Sequence, residues 1–207
     1  MLQNDCNISP LKQQLVERFR NVTKEIEQVT VALGNENNCL LSKIEGLKEE
    51  FEGIETIASS FYLNCYLSPF TNKFIEVSSS IQHLSALRHG ALIVIERKDL
   101  TDSYIRPGTF IGANLTSALL ESIFFPGNPL HDGAVLVRSD QIYSAANVLP
   151  LSKVNAGKKK LGTRHRSAIG LTEQCDALVL IVSEETGKVS FAVDGKIYPI
   201  ITSSSLI

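Results

Sequence analysis

Three short stretches carry residue types that chemistry can use. In FPGNPLHDGAVLV, residues 125–137, His131, Asp132 and Gly133 stand between a proline-rich loop and an apolar run of strand length. A carboxylate at the mouth of a strand, with an imidazole beside it, can hold a metal ion or act as a base. Glycine there lets backbone approach a ligand closely. Asp-Gly is also ordinary turn chemistry, so the tripeptide alone leaves both readings open. In KLGTRHRSAIG, residues 160–170, a Gly-Thr pair precedes a helical pattern, with Thr163 able to cap it. Arg164, His165 and Arg166 then occupy the first turn. That turn already carries the positive end of the macrodipole and N–H groups without partners, so it favours acidic residues. Positive side chains there point to an anion, and phosphate suits the planar fork of guanidinium. Alternatively the arginines pair with surface carboxylates such as Glu173. The third stretch, VSEETG at residues 182–187, ends an apolar run. Ligands of open α/β sheets gather at strand ends, which makes Ser183 and Glu185 candidates for touching a ribose or base. The alternative is a solvated acidic turn.

The elements that must position these residues fall into two parts. After Ser9-Pro10, a plausible helix start, apolar residues recur at Leu15, Phe19, Val22, Ile26, Val29 and Leu33, a heptad seam. Gly34–Asn38 breaks it, and a second seam follows at Leu40, Ile44, Leu47, Phe51, Ile54, Ala58 and Phe61. So short a connection predicts an antiparallel helical hairpin over 1–65, whose apolar surface must pack on the rest of the protein or on other subunits. From 66 to 207 helix and strand signals alternate. A helix is expected from Phe74 to about His89-Gly90 and another over Leu115–Phe125, stopped by Pro126-Gly127. ALIVIE and ALVLIVS read as strands covered on both faces, GAVLVR and QIYSAANVL as a hairpin, and VSFAV and KIYPII as a second hairpin around Asp194-Gly195. At least six strands and three helices predict an α/β domain, a mixed central sheet flanked by helices and preceded by the hairpin. The lysine run Lys158–Lys160 reads as a solvated loop.

Composition narrows the class. With 207 residues, 43% of them hydrophobic, the chain is expected to be globular, and a formal charge of −2 provides no basic field for nucleic acid. Four widely spread cysteines without metal-ligand spacing are read as reduced thiols. No signal peptide and no apolar run of membrane-spanning length is apparent, so a soluble, cytoplasmic protein is expected.

DGA at Asp132, GTRHR at Gly162–Arg166 and VSEE at Val182–Glu185 together resemble, in order and spacing, the signature of the diadenylate cyclase domain. The likeness extends over about Phe70 to Ile201, including IRPGTFIGANL and ANVLPLS. It implies a bacterial enzyme that condenses two ATP molecules into cyclic di-AMP with release of two pyrophosphates. Carried over, it assigns Asp132, with His131, to a Mg²⁺ or Mn²⁺ ion and the attacking ribose hydroxyl, and Gly133 and Ala134 to the close-approach turn. Gly162, Thr163, Arg164, His165 and Arg166 fall on the phosphate-binding and catalytic segment, Leu149 near the adenine, and Ser183 and Glu185 on the nucleotide or metal. Each 3′-hydroxyl must attack the other ATP, so two domains are expected to face each other about a two-fold axis, within a larger homo-oligomer such as a hexamer. Without hydrophobic N-terminal helices or a C-terminal DNA-binding domain, the chain resembles the soluble, sporulation-associated type. A non-catalytic adenine-nucleotide sensor or an oligomeric scaffold built by the hairpin are the alternatives.

Overall fold

The computed structural model describes residues 9–32, 40–153 and 162–200. The turn expected at Gly34–Asn38 and the lysines Lys158–Lys160 lie outside the described residues. The chain divides into two units, Met1–Tyr62 and Leu63–Ile207.

The first unit holds α1 (Ser9–Ala32) and most of α2 (Leu40–Leu67). Both arise where apolar residues repeat at heptad spacing without an interior proline. Arg18 of α1 donates to Glu50 of α2 at 3.0 Å. Val22 and Ile54, one from each seam, are buried, whereas Phe19, Ile26, Ile44 and Phe51 remain 45–49% exposed.

The second unit begins on the last turn of α2, where Leu63 and Leu67 join the main core. Then follow α3 (Phe74–Leu87), β1 (Ala91–Ile95), β2 (Thr109–Asn114), α4 (Ser117–Ile123), β3 (Ala134–Arg138) and β4 (Gln141–Asn147). The remaining elements are α5 (Thr163–Thr172), β5 (Leu178–Val182), β6 (Val189–Val193) and β7 (Lys196–Ile200). Among the described residues the strands form one seven-stranded sheet in the order β2-β4-β3-β1-β5-β6-β7. β1 and β3 run parallel and the other pairings are antiparallel, which is the mixed sheet expected.

The unbroken apolar runs have a simple cause. Side chains alternate across the sheet, and both faces are covered. Ile93, Ile95, Leu178 and Leu180 pack into one core with Val77, Ile81 and Leu84 of α3 and Leu120 and Ile123 of α4. Leu92, Val94, Val179 and Ile181 pack into the other with Ala168 and Leu171 of α5. β2 is a strand that the local pattern does not announce. It lies at the sheet edge, half its residues or more face solvent, and a bulge interrupts its register between Phe110 and Ala113. Asp194 and Gly195 both take positive φ (49° and 69°), as a tight hairpin turn requires.

The cysteine reading needs correction. Cys175 is a buried free thiol, but Cys65 is disulfide-bonded. Linear spacing does not reveal which thiols the fold brings within bonding distance.

Candidate functional site

Register brings the first and third stretches together. Ala91 of β1 pairs with Val182 of β5, and Ile93 pairs with Val135 of β3. The first residues of β1 and β3 and the last of β5 therefore share one end of the sheet. Ala134 pairs with Asn147, which puts the last residue of β4 there too. His131–Gly133, Leu149 and Ser183–Glu185 consequently leave the sheet at the same end. β1 and β3 contribute by their N-terminal ends, β4 and β5 by their C-terminal ends, because the two sets run in opposite directions.

The loop before β3 is braced from within. Asn128 donates through its side-chain amide to the carbonyl of Ser122 at 2.8 Å and accepts from the backbone N–H of Leu130 at 2.9 Å. His131 Nδ1 lies 2.6 Å from the backbone oxygen of Asn128. A carbonyl only accepts, so Nδ1 is the donor in this contact and Nε2 is the ring nitrogen left for another partner. Asp132 is exposed. Gly133 has φ +121°, and a Cβ there would meet the backbone of Ala146 and Asn147 at 2.8 Å, so only glycine serves at this position. Asn147, buried, receives the Gly108 N–H at 3.0 Å and the Ser144 hydroxyl at 2.9 Å and donates to the Ala134 carbonyl at 2.8 Å.

α5 supplies the basic residues. Its cap is Gly162, in extended conformation and without a side-chain hydrogen bond; Thr163 is the first helical residue, not the cap expected from sequence. The helix is docked on the segment after Leu149. Ser152 N–H donates to the Arg166 carbonyl at 3.0 Å, and a Cβ on Gly170 would fall 2.3 Å from the oxygen of Pro150. Leu149 is buried in the same cluster as Ala168 and Leu171.

Arg164 Nη1 lies 2.7 Å from Glu184 Oε2, which ties the start of α5 to the turn after β5. Arg166 is exposed and reaches the Ser152 carbonyl only at 3.4 Å. Glu173 accepts from the Ser152 hydroxyl at 2.8 Å instead of pairing with either arginine. Burial depresses the His165 pKa, and the Arg164 charge adds to this against the opposing pull of Glu185. A neutral ring at neutral pH follows, between two charged neighbours. Ser183 is half-buried, and its hydroxyl accepts from the Thr186 N–H at 3.3 Å, whereas Glu185 is exposed.

All the candidates named from sequence thus lie around one end of the sheet or on the helix docked beside it. Glu184, Gly90 and Asn147 were not among them. Glu184 is adjacent to two nominated residues and Asn147 stands in the ANVLPLS segment, but nothing local marks the role of either, and Gly90 carries no signal in the linear sequence. The donor set suits a hard or borderline divalent ion: a carboxylate, and an imidazole whose Nδ1–H is already held by a carbonyl, the usual arrangement behind a ligating Nε2. No group of three or more His, Cys, Asp or Glu able to hold a metal occurs among the described residues. A divalent ion that keeps several waters and is held largely by substrate phosphates needs only one or two protein ligands, so no such group is required of the protein.

Comparison with known proteins gives a consistent result. Residues 78–197 match the family described as DisA bacterial checkpoint controller nucleotide-binding, and residues 2–70 match that described as diadenylate cyclase CdaS, N-terminal. The chain is 49% identical over 190 residues to diadenylate cyclase CdaS of Bacillus thuringiensis, covering 92% of this chain and 94% of the relative. It is 54% identical over 170 residues to cyclic di-AMP synthase CdaS of Bacillus subtilis, covering 82% of each. A solved structure, described as the hypothetical membrane spanning protein from Bacillus cereus, superimposes with a TM-score of 0.74 at 49% identity. It covers 92% of this chain and 94% of its own. Among the described residues no helix is long and apolar enough to cross a membrane. On these matches, made through both of its parts, the chain belongs to the diadenylate cyclase family and to the CdaS type within it.

Proposed function

We propose that the protein is a diadenylate cyclase that joins two ATP molecules into cyclic di-AMP in a site completed by a second copy. The observation that carries this is the gathering of His131, Asp132 and Gly133, of Leu149, and of Glu184 with Arg164 around one end of the sheet. In each half-reaction the 3′-oxygen of one ATP bonds to the α-phosphorus of the other. The bond from that phosphorus to the β-phosphate bridging oxygen breaks, pyrophosphate leaves, and the hydroxyl proton is lost. Asp132 and His131 would hold a Mg²⁺ or Mn²⁺ ion, which when bound lowers the hydroxyl pKa and neutralises phosphate charge. Gly133, lacking a side chain, lets the nucleotide approach the backbone. Leu149 lies near the adenine. The first turn of α5 directs N–H groups and the guanidinium groups of Arg164 and Arg166 at the triphosphate. His165 orients that turn, and Ser183 and Glu185 contact nucleotide or metal.

One copy of each motif serves one ATP, so the reaction needs two such domains face to face, within a homo-oligomer. The exposed seam residues Phe19, Ile26, Ile44 and Phe51 support subunit contacts through the helical pair. Those contacts would modulate activity by setting which arrangement of catalytic domains is populated. ATP as substrate accords with a cytoplasmic enzyme. Mass spectrometry of products from ATP with Mn²⁺ or Mg²⁺ and purified protein tests the reading. Cyclic di-AMP and pyrophosphate are expected, whereas saturable ATP binding without product would identify a nucleotide sensor instead.

A further inference from the structure

Gly90 is buried immediately before β1, and its backbone is not in the positive-φ region that demands glycine. Conformation alone would allow alanine there. Space does not: a Cβ at Gly90 would lie 2.7 Å from both Cζ and Nη1 of Arg164 and 3.0 Å from Cβ of Glu184. The guanidinium therefore rests against bare backbone at the start of β1, where the pairing of Ala91 with Val182 also brings the turn bearing Glu184. Glu184 alone is a weak anchor, because its side chain is 61% exposed and a solvated ion pair contributes little. The bare backbone of Gly90 is the more restrictive constraint, because a side chain there would overlap the guanidinium directly.

We propose that Gly90 is a positioning residue for Arg164: the missing side chain is what seats the guanidinium beside Glu184, at the end of the sheet shared by Asp132 and Gly133. The proposal rests on the reading that Arg164 meets the triphosphate. The group nearest the added methyl is the far end of a flexible side chain. Gly90→Ala should therefore displace Arg164 and leave the fold in place.

Four proteins test this: wild type, Gly90→Ala, Arg164→Ala and the double variant. Each is measured by thermal unfolding, by calorimetry with a non-hydrolysable ATP analogue, and by cyclic di-AMP formation. In the single-substitution variant the Tm should stay close to wild type, while Kd for the analogue rises about ten- to hundredfold, the scale of losing one charge-assisted contact. On the Arg164→Ala background Gly90→Ala should have no further effect, because the group it displaces is already gone. The NMR resonance of Arg164 Nε–H should also move in Gly90→Ala, whatever the activity. Equal losses with and without Arg164 would overturn the proposal, as would an unchanged Nε–H resonance. Failure of Gly90→Ala to fold would overturn it too, since the methyl would then be meeting something less movable than a guanidinium. If wild type made no cyclic di-AMP, the functional reading would fall, and the resonance would still decide whether Gly90 seats Arg164.

Discussion

The side-chain amide of Asn147, at the end of β4, donates to the carbonyl oxygen of Ala134, at the start of β3, at 2.8 Å. Its own oxygen receives the Gly108 N–H and the Ser144 hydroxyl. One buried residue thus locks the backbone that follows Asp132-Gly133 to the edge segment around Gly108. We predict that Asn147→Ala, by leaving these groups without partners, destabilises the fold by about 1–3 kcal/mol. It should also lower cyclisation at temperatures where the protein stays folded. Denaturant unfolding and product formation check the two effects, and an unchanged midpoint would show that water replaces the amide.

Asp132 is exposed, and no hydrogen bond or ion pair involving it occurs among the described residues, so the fold does not depend on it. Asp132→Asn keeps its volume and removes its charge. The expected outcome is an unchanged Tm with cyclic di-AMP formation abolished. Wild-type turnover by the folded variant would remove Asp132 from the chemistry.

Arg166 stands free of ion pairs among the described residues, while Arg164 is paired with Glu184. Arg166→Ala is therefore predicted to leave the Tm unchanged and weaken binding of a non-hydrolysable ATP analogue about tenfold or more, as the loss of a charge-assisted contact does. Calorimetry and thermal unfolding on the same sample measure both. A large fall in Tm with unaltered affinity would make the residue structural.

Burial, then the Arg164 charge, lowers the His165 pKa below the ordinary histidine value. The folded protein accordingly prefers the neutral ring, and the unfolded chain binds the proton more readily. The stability contributed by this preference is present above about pH 6.5, the unfolded pKa, and is lost as pH falls through the lower folded value. His165→Gln should flatten that part of the stability profile. A bound triphosphate favours the charged ring, so NMR titration should find the His165 pKa raised when an ATP analogue is present. An unmoved value would place the phosphates away from this turn.

The helical pair exposes apolar seam residues at Phe19, Ile26, Ile44 and Phe51. Catalysis needs reacting atoms within ~3–3.5 Å, hence one particular face-to-face pairing of domains. An assembly that favours another arrangement by only ~1.4 kcal/mol reduces the productive one tenfold. Because Leu63 and Leu67 belong to the second unit's core, a shortened chain should begin at Leu63. It is expected to change its oligomeric state and to cyclise ATP faster than the full chain at equal concentration, as light scattering and product formation would report. A folded but slower shortened chain would make the helical pair an activating scaffold.

Much of this protein is legible locally. Apolar runs such as Ala91–Ile95 and Leu178–Val182 announce strands because both faces of the sheet are covered, and this requirement falls on every residue of the run. The Asp194-Gly195 turn is legible because positive φ at two successive positions restricts the residue types. His131, Asp132, Arg164 and Arg166 stand out because charge at a strand mouth or a helix start is hard to explain by packing. Other features belong to the tertiary structure. β2 is an edge strand, and it is recruited by pairing with β4, not by any alternation of its own. Thr163 begins α5 without capping it. The hydrogen bonds of Asn147, the pairing of Arg164 with Glu184 and the bare backbone of Gly90 beneath that guanidinium all join residues distant in sequence. Such contacts are set by strand register and helix docking, so local composition carries no trace of them until the chain has folded.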